Sequence, residues 1–219
     1  MSHRLTRVEQ RLRNRALVLA AARRMFLASG YHGASLEQIA DEAGFSKGVV
    51  YSQFESKADL FLALLEQRID ERRAENARFV DRLVASDGLS LDRGLRALSE
   101  HVTERDRADA EWGLLVIEFR VHAARNPELN RRYGEMHERT LAGVAGVVAR
   151  IYDRVGQALP LPAPELARLL LTVGAGARLE QATNSEVLPN TVVAELLAHV
   201  PSSLTTASAG QSSKRRKVA

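Results

Sequence analysis

From Asn14 to Ala28 the apolar residues Val18, Ala21, Ala22, Met25 and Phe26 fall at i, i+3, i+4, i+7 and i+8. That spacing predicts a helix with one buried stripe, ended by Gly30. Leu36, Ile39, Ala40 and Ala43 repeat the pattern behind Ser35, and Gly44 closes the second helix in a left-handed conformation that glycine adopts cheaply. A third, short helix over 47–54 buries Val50 and Phe54 on one side. A long helix then runs from Lys57 into the 80s. Its first half carries Leu60, Phe61, Leu64, Leu65 and Ile69, and its second half carries Phe79, Leu83 and Val84. Four more helices are predicted: about Ser90 to Arg105, Ala110 to just before Asn126-Pro127, Glu128 to Val155, and Glu165 to Ala182. A last one follows Pro189 and ends before Pro201, with Val192, Val193, Leu196 and Leu197 as its apolar face. The pattern predicts an all-α chain of about nine helices.

The densest signals lie between Ser35 and Lys57. Ser35 suits an N-cap, and Gln38 three residues later completes a capping box. Ser46 suits the cap of the next helix, and Ser56 with Asp59 that of the one after. Two short helices joined by a three- or four-residue turn are the sequence form of a helix-turn-helix, here at about 35–54. On its second helix Gly48 and Ser52 point away from Val50 and Phe54. Small residues there leave room for a partner, and Lys47 and Lys57 bracket the face with positive charge. Those residue types suit a helix laid in a DNA major groove, with phosphates along its rims. The same spacing also suits a plain packing corner in a helical bundle.

Residues 15 to 64 closely resemble the N-terminal domain of TetR/AcrR-family transcriptional regulators. Ala21-Ala22, Phe26, Gly30-Tyr31, Ser35, Ile39-Ala40, Ala43-Gly44, Ser46-Lys47-Gly48, Tyr51, Phe54, Ser56-Lys57 and Leu60 stand where that family's pattern has them. Gln53 departs from it, since the family commonly has His or Tyr there. The resemblance implies a three-helix DNA-binding domain at 14–60 and a helical effector-binding and dimerisation domain at 61–201. Lys47, Gly48, Val49 and Ser52 are expected nearest the groove, and Ser35, Tyr51, Gln53 and Lys57 on phosphates. It further implies double-stranded DNA with a palindromic operator as partner. The last two helices, too apolar to stay exposed, are expected to form a homodimer. A DNA-binding or architectural protein without a small-molecule effector, controlled by a protein partner, is the alternative.

Charge sharpens the division. Residues 1–57 carry nine Lys/Arg against five Asp/Glu, and residues 203–219 carry four basic residues and no acid. The remainder is mildly acidic, so the basic head is the part suited to a polyanion. Residues 1–13, with Arg4, Arg7, Arg11 and Arg13, read as a flexible basic arm, frayed or with an early helical turn. Residues 202–219, ending in Lys214-Arg215-Arg216-Lys217, read as a disordered basic tail. The chain has no cysteine, which excludes disulfides, thiol catalysis and cysteine zinc sites. No membrane helix or signal peptide is apparent, and a cytoplasmic location in a bacterium is expected.

The body is expected to sense a small, apolar molecule, because few aromatics accompany many Leu, Val and Ala residues. Phe79, Trp112, Phe119, Tyr133 and His137 are the candidate effector contacts. No catalytic motif, metal site or cofactor is expected. Glu118 and His122, one helical turn apart, read as a polar contact rather than a metal pair.

Overall fold

The computed structural model describes residues 6–184 and 188–199. Thr6 opens α1 (Arg7–Gly33) with a full capping box. Its hydroxyl accepts the Glu9 N–H at 3.2 Å, and the Glu9 carboxylate accepts the Thr6 N–H at 2.7 Å. The helix therefore begins at Arg7, not Asn14, and residues 7–13 take the helical rather than the frayed alternative. Residues 1–5 and the tail from 200 lie outside the described residues. Gly30 interrupts α1 with φ 72° and ψ 173°, a region open almost only to glycine.

Next come α2 (Leu36–Glu42) and α3 (Lys47–Tyr51). The expected Ser35–Gln38 box forms, at 3.0 and 3.2 Å. Gly44, at φ 72°, ends α2 in a Schellman arrangement: Phe45 N–H donates to the Ala40 carbonyl and Gly44 N–H to that of Asp41. Ser46 holds the N-cap position of α3, but its side chain makes no capping bond, contrary to expectation. Ser56 caps α4 (Lys57–Val84): its hydroxyl accepts the Asp59 N–H at 3.1 Å and donates to the Asp59 carboxylate at 2.7 Å.

The remaining elements are α5 (Leu91–Ala108), α6 (Ala110–Ala124), α7 (Pro127–Arg154), α8 (Ala163–Thr183) and α9 (190–199). Helix α5 runs three residues past the expected Arg105. Asn126 caps α7 by accepting the Leu129 N–H at 3.1 Å, and Gly156, at φ 66°, ends it. Among the described residues no helix is long and apolar enough to cross a membrane.

The chain divides into two compact units. The first contains residues up to Asp70 together with Leu115–Gly134. Its core joins Val18, Ala22 and Phe26 of α1, Ile39 of α2, Val50 of α3, and Leu60 and Phe61 of α4 to Phe119 of α6. The second unit contains Glu71–Leu114 and the chain from Glu135 on. There Leu95 of α5 and Val148 and Tyr152 of α7 cluster with Leu166 of α8 and Ala198 of α9. Val80 of α4 packs with Val147 and Ile151, and Ala177 with Val193 and Leu197. Gly94 lets α5 approach α7: a Cβ on it would stand 2.7 Å from Ile151 Cγ2.

Candidate nucleic-acid interface

Helix α3 is short because only Val50 anchors it, with Phe54 just beyond; these are 0% and 3% exposed. The opposite face is open. Lys47, Gly48, Tyr51 and Ser52 are exposed, while Val49 and Gln53 are half-buried at the flanks. Beyond its chain neighbours and its own helix backbone, a Cβ built on Gly48 would meet nothing closer than the Ser46 hydroxyl, at 4.0 Å. The small-residue face expected on this helix is therefore open.

Several of the expected groove and phosphate contacts have partners within the first unit. The Tyr51 hydroxyl donates to Glu37 of α2 at 3.1 Å, and Lys47 Nζ lies 3.9 Å from the same carboxylate. The bond to Glu37 holds the Tyr51 phenol above its ordinary pKa. Ser52 donates to the Val49 carbonyl at 2.8 Å. Gln53 Nε2 reaches that carbonyl at 3.4 Å, while its Oε1 is buried without a partner among the described residues. Ser35 is committed to its cap.

Lys57 departs most from expectation. Its ammonium turns inward, donating to the carbonyls of His32 at 3.2 Å and Ala34 at 2.9 Å, 4.7 Å from the centre of the Tyr31 ring. Loss of water lowers its pKa, and Glu118 partly offsets this. Two of its three N–H groups are thus spent on the link between α1 and α2.

Glu118 of α6 holds the same link from the other side. Its Oε2 accepts the Tyr31 N–H at 3.0 Å and its Oε1 accepts the His32 N–H at 3.2 Å. Sequence reasoning read this residue only as a partner of His122. Its actual targets are backbone donors freed by the break at Gly30, far away in the chain. Around it the Tyr31 ring meets Phe119 edge-on at 5.0 Å and lies 4.9 Å from His122, and Phe61 stacks on Phe119 at 4.2 Å. Burial, with a smaller contribution from Asp59, pushes the Tyr31 phenol up to about 12.

His122 sits 5.0 Å from the His32 ring. Burial lowers its pKa first, then the neighbouring His32, Lys57 and Arg125; Glu118 opposes them. A histidine depressed in the fold binds fewer protons there than in the unfolded chain. Its contribution to stability is therefore present above the ordinary value of about 6.5 and lost as pH falls below it. The melting temperature should drop between about pH 7.5 and about pH 5.5, and the drop should be smaller in His122→Asn. An equal drop in both proteins would remove His122 from this role.

The five candidate effector residues are divided between the two units. Phe119 and Tyr133 belong to the first unit, with ring centres 6.0 Å apart in its aromatic core. Their placement on the body is corrected accordingly: packing against Tyr31 and Phe61 claims Phe119 for the head. Phe79, Trp112 and His137 lie in the second unit, where Phe79 stacks on His101 at 4.1 Å and Trp112 is buried. Among the described residues no group of three His, Asp or Glu is placed to hold a metal ion.

Residues 18–64 match the family model described as "Bacterial regulatory proteins, tetR family". Over 56 residues the chain is 46% identical to the transcriptional activator FasR of Mycolicibacterium smegmatis, a match covering 26% of each chain. It is 30% identical over 145 residues to YfiR of Bacillus subtilis, an uncharacterized HTH-type transcriptional regulator, covering 64% of this chain and 67% of that one. The chain thus spans about a quarter of the first relative's length and two thirds of the second's. The fold is similar to that of the Bacillus subtilis regulator FadR in complex with stearoyl-CoA. The TM-score is 0.66 at 17% identity, over 84% of this chain and 97% of that one. The chain belongs to the tetR family of bacterial regulatory proteins.

Proposed function

We propose that this protein is a sequence-specific DNA-binding regulator of transcription, acting as a homodimeric repressor that a small, apolar effector releases from a palindromic operator. The observation that carries the reading is the open face of α3, anchored from behind by Val50 and Phe54. Lys47, Gly48, Val49 and Ser52 lie nearest the bases, while Ser35, Tyr51 and Gln53 face the phosphates. Lys57 acts on DNA indirectly, by fixing the link between α1 and α2.

Dimerisation is supported by the outer faces of α8 and α9. Leu169, Leu179, Val192 and Leu196 are 43–51% exposed there, a patch that a second copy would cover. Pairing also doubles the base contacts that one short helix can make. An effector with an apolar part is supported by the stearoyl-CoA held by the similarly folded FadR and by Phe79, Trp112 and His137 in the second unit. Release requires that the effector prefer the shape that binds DNA poorly. A bacterial cytoplasm is where such a regulator meets its DNA.

Val49 tests the reading directly. Val49→Ala should change which bases are preferred at one position of each half-site, by about 1–3 kcal/mol in discrimination, measured by sequencing DNA selected by each protein. An unchanged preference profile would take Val49 off the reading face.

A further inference from the structure

Arg72, Asn76 and Phe79 share one face of α4, and His101 and Arg105 stand one turn apart on α5. These faces meet within the second unit. The Phe79 ring lies flat on that of His101, 4.1 Å away and 5° from parallel. Arg105 donates to the Asn76 side-chain carbonyl at 2.6 Å. Arg72 donates to Asp109 and lies 3.6 Å from Glu75. All of these side chains but that of His101 thus have polar or aromatic work within the fold. His101 is half-buried, and its Nε2 is buried without a hydrogen-bond partner among the described residues. Such a nitrogen calls for an explanation, because folding removes its water and gives nothing back. Burial lowers the His101 pKa first and Arg105 next; Glu75 opposes them, and Arg72 and Arg82 add to them. The charges acting on the ring are therefore three guanidinium groups against one carboxylate. That balance keeps the ring neutral and favours an arriving anion.

Resting on the effector response proposed above, we infer that this seam between α4 and α5 receives an acidic head group of the effector, a carboxylate or a phosphate ester, with His101 Nε2 donating to it. The His101 tautomer with its hydrogen on Nε2 supplies the donor. Its bond to an anionic oxygen is charge-assisted, and an alcohol cannot match it. Arg105 and Arg72 supply the countercharge. Both guanidinium groups are already held, by Asn76 and Asp109, so little side-chain freedom is lost when the anion arrives. Phe79, an expected effector contact, enters the site as the platform that fixes the plane of the His101 ring and so aims Nε2. The ligand is therefore an amphipath, with an apolar body and an acid at one end.

The test compares octanoate, octyl phosphate and octanol, which share a tail and differ in the head, by calorimetric titration of the purified protein. At least one of the two acids should bind at least about tenfold more tightly than octanol, the advantage of a hydrogen bond to a charged group. Whichever acid binds better identifies the head group, and the His101 ring resonances should move when it is added. His101→Phe keeps a ring against Phe79 and removes the nitrogen. It should abolish most of the advantage and leave octanol binding within about twofold, as should Arg105→Gln. Helix content by circular dichroism should match the parent in both variants. Equal binding of acids and alcohol by the parent, or no response of the His101 ring to either acid, would overturn the site. So would an acid preference that survives His101→Phe. DNA affinity separates this inference from the reading it rests on. An acid that binds at His101 and weakens DNA binding supports both. One that binds there and leaves DNA affinity unchanged keeps the site and overturns release by an effector.

Discussion

Phe119→Ala should destabilise the first unit by about 3–5 kcal/mol, a large share of the roughly 5–15 kcal/mol that holds a typical domain folded. Phe119 is fully buried, stacked on Phe61 at 4.2 Å and edge-on to Tyr31 at 5.0 Å. Truncation removes apolar burial, two aromatic contacts and the packing around them, and it leaves a cavity that rigid neighbours fill only partly. The loss falls on the unit that contains α2 and α3, so DNA binding should weaken at temperatures where the parent is still folded. Leu12→Ala, at a site 62% exposed, should change stability by no more than about 0.5 kcal/mol. Denaturant midpoints for the two variants give the comparison. A Phe119→Ala loss as small as that of Leu12→Ala would mean that this aromatic cluster does not hold the unit together.

The second large effect is expected at Gly30. Alanine there must adopt φ 72°, ψ 173° or rebuild the turn, at a cost of about 1–3 kcal/mol. Its Cβ would also stand 3.0 Å from Glu118 Oε2, the oxygen that accepts the Tyr31 N–H. Moving that carboxylate weakens two charge-assisted hydrogen bonds, each worth about 1.5–3 kcal/mol net when intact. Gly30→Ala should therefore cost about 2–5 kcal/mol in all. Glu118→Ala should destabilise through the same two bonds, and the double variant should cost less than the sum of the singles. Strict additivity would show that strain at Gly30 and the grip of Glu118 are independent, contrary to this account.

These two residues also show what the sequence could convey. Gly30 is legible as a break because its effect is local, as are Gly44 with its Schellman bonds and the capping boxes at Ser35 and Ser56. The Thr6-x-x-Glu9 box is equally local and marks the start of α1 within a polar stretch that periodicity alone leaves between a frayed arm and an early helical turn. Inward-facing Val50 and Phe54 and outward-facing Gly48 and Ser52 follow from helical periodicity alone. Lys57 is different. Its targets are the carbonyls of His32 and Ala34, and nothing in the local pattern says that a lysine beside the reading helix turns back toward them. Glu118 and Phe119 reach residues more than fifty positions away, so their membership in the first unit is a tertiary fact. Periodicity assigns Phe119 to a buried face without saying which core receives it.

The proposed function requires α3 to read bases in two copies at once. Selection of bound sequences from a random DNA pool by the purified protein tests that most directly. A palindromic motif of about 15–20 base pairs is the predicted result, since paired heads place their half-sites one to two helical turns apart. Salt-sensitive binding that enriches no motif would contradict the account, leaving the basic head as a general phosphate-binding surface.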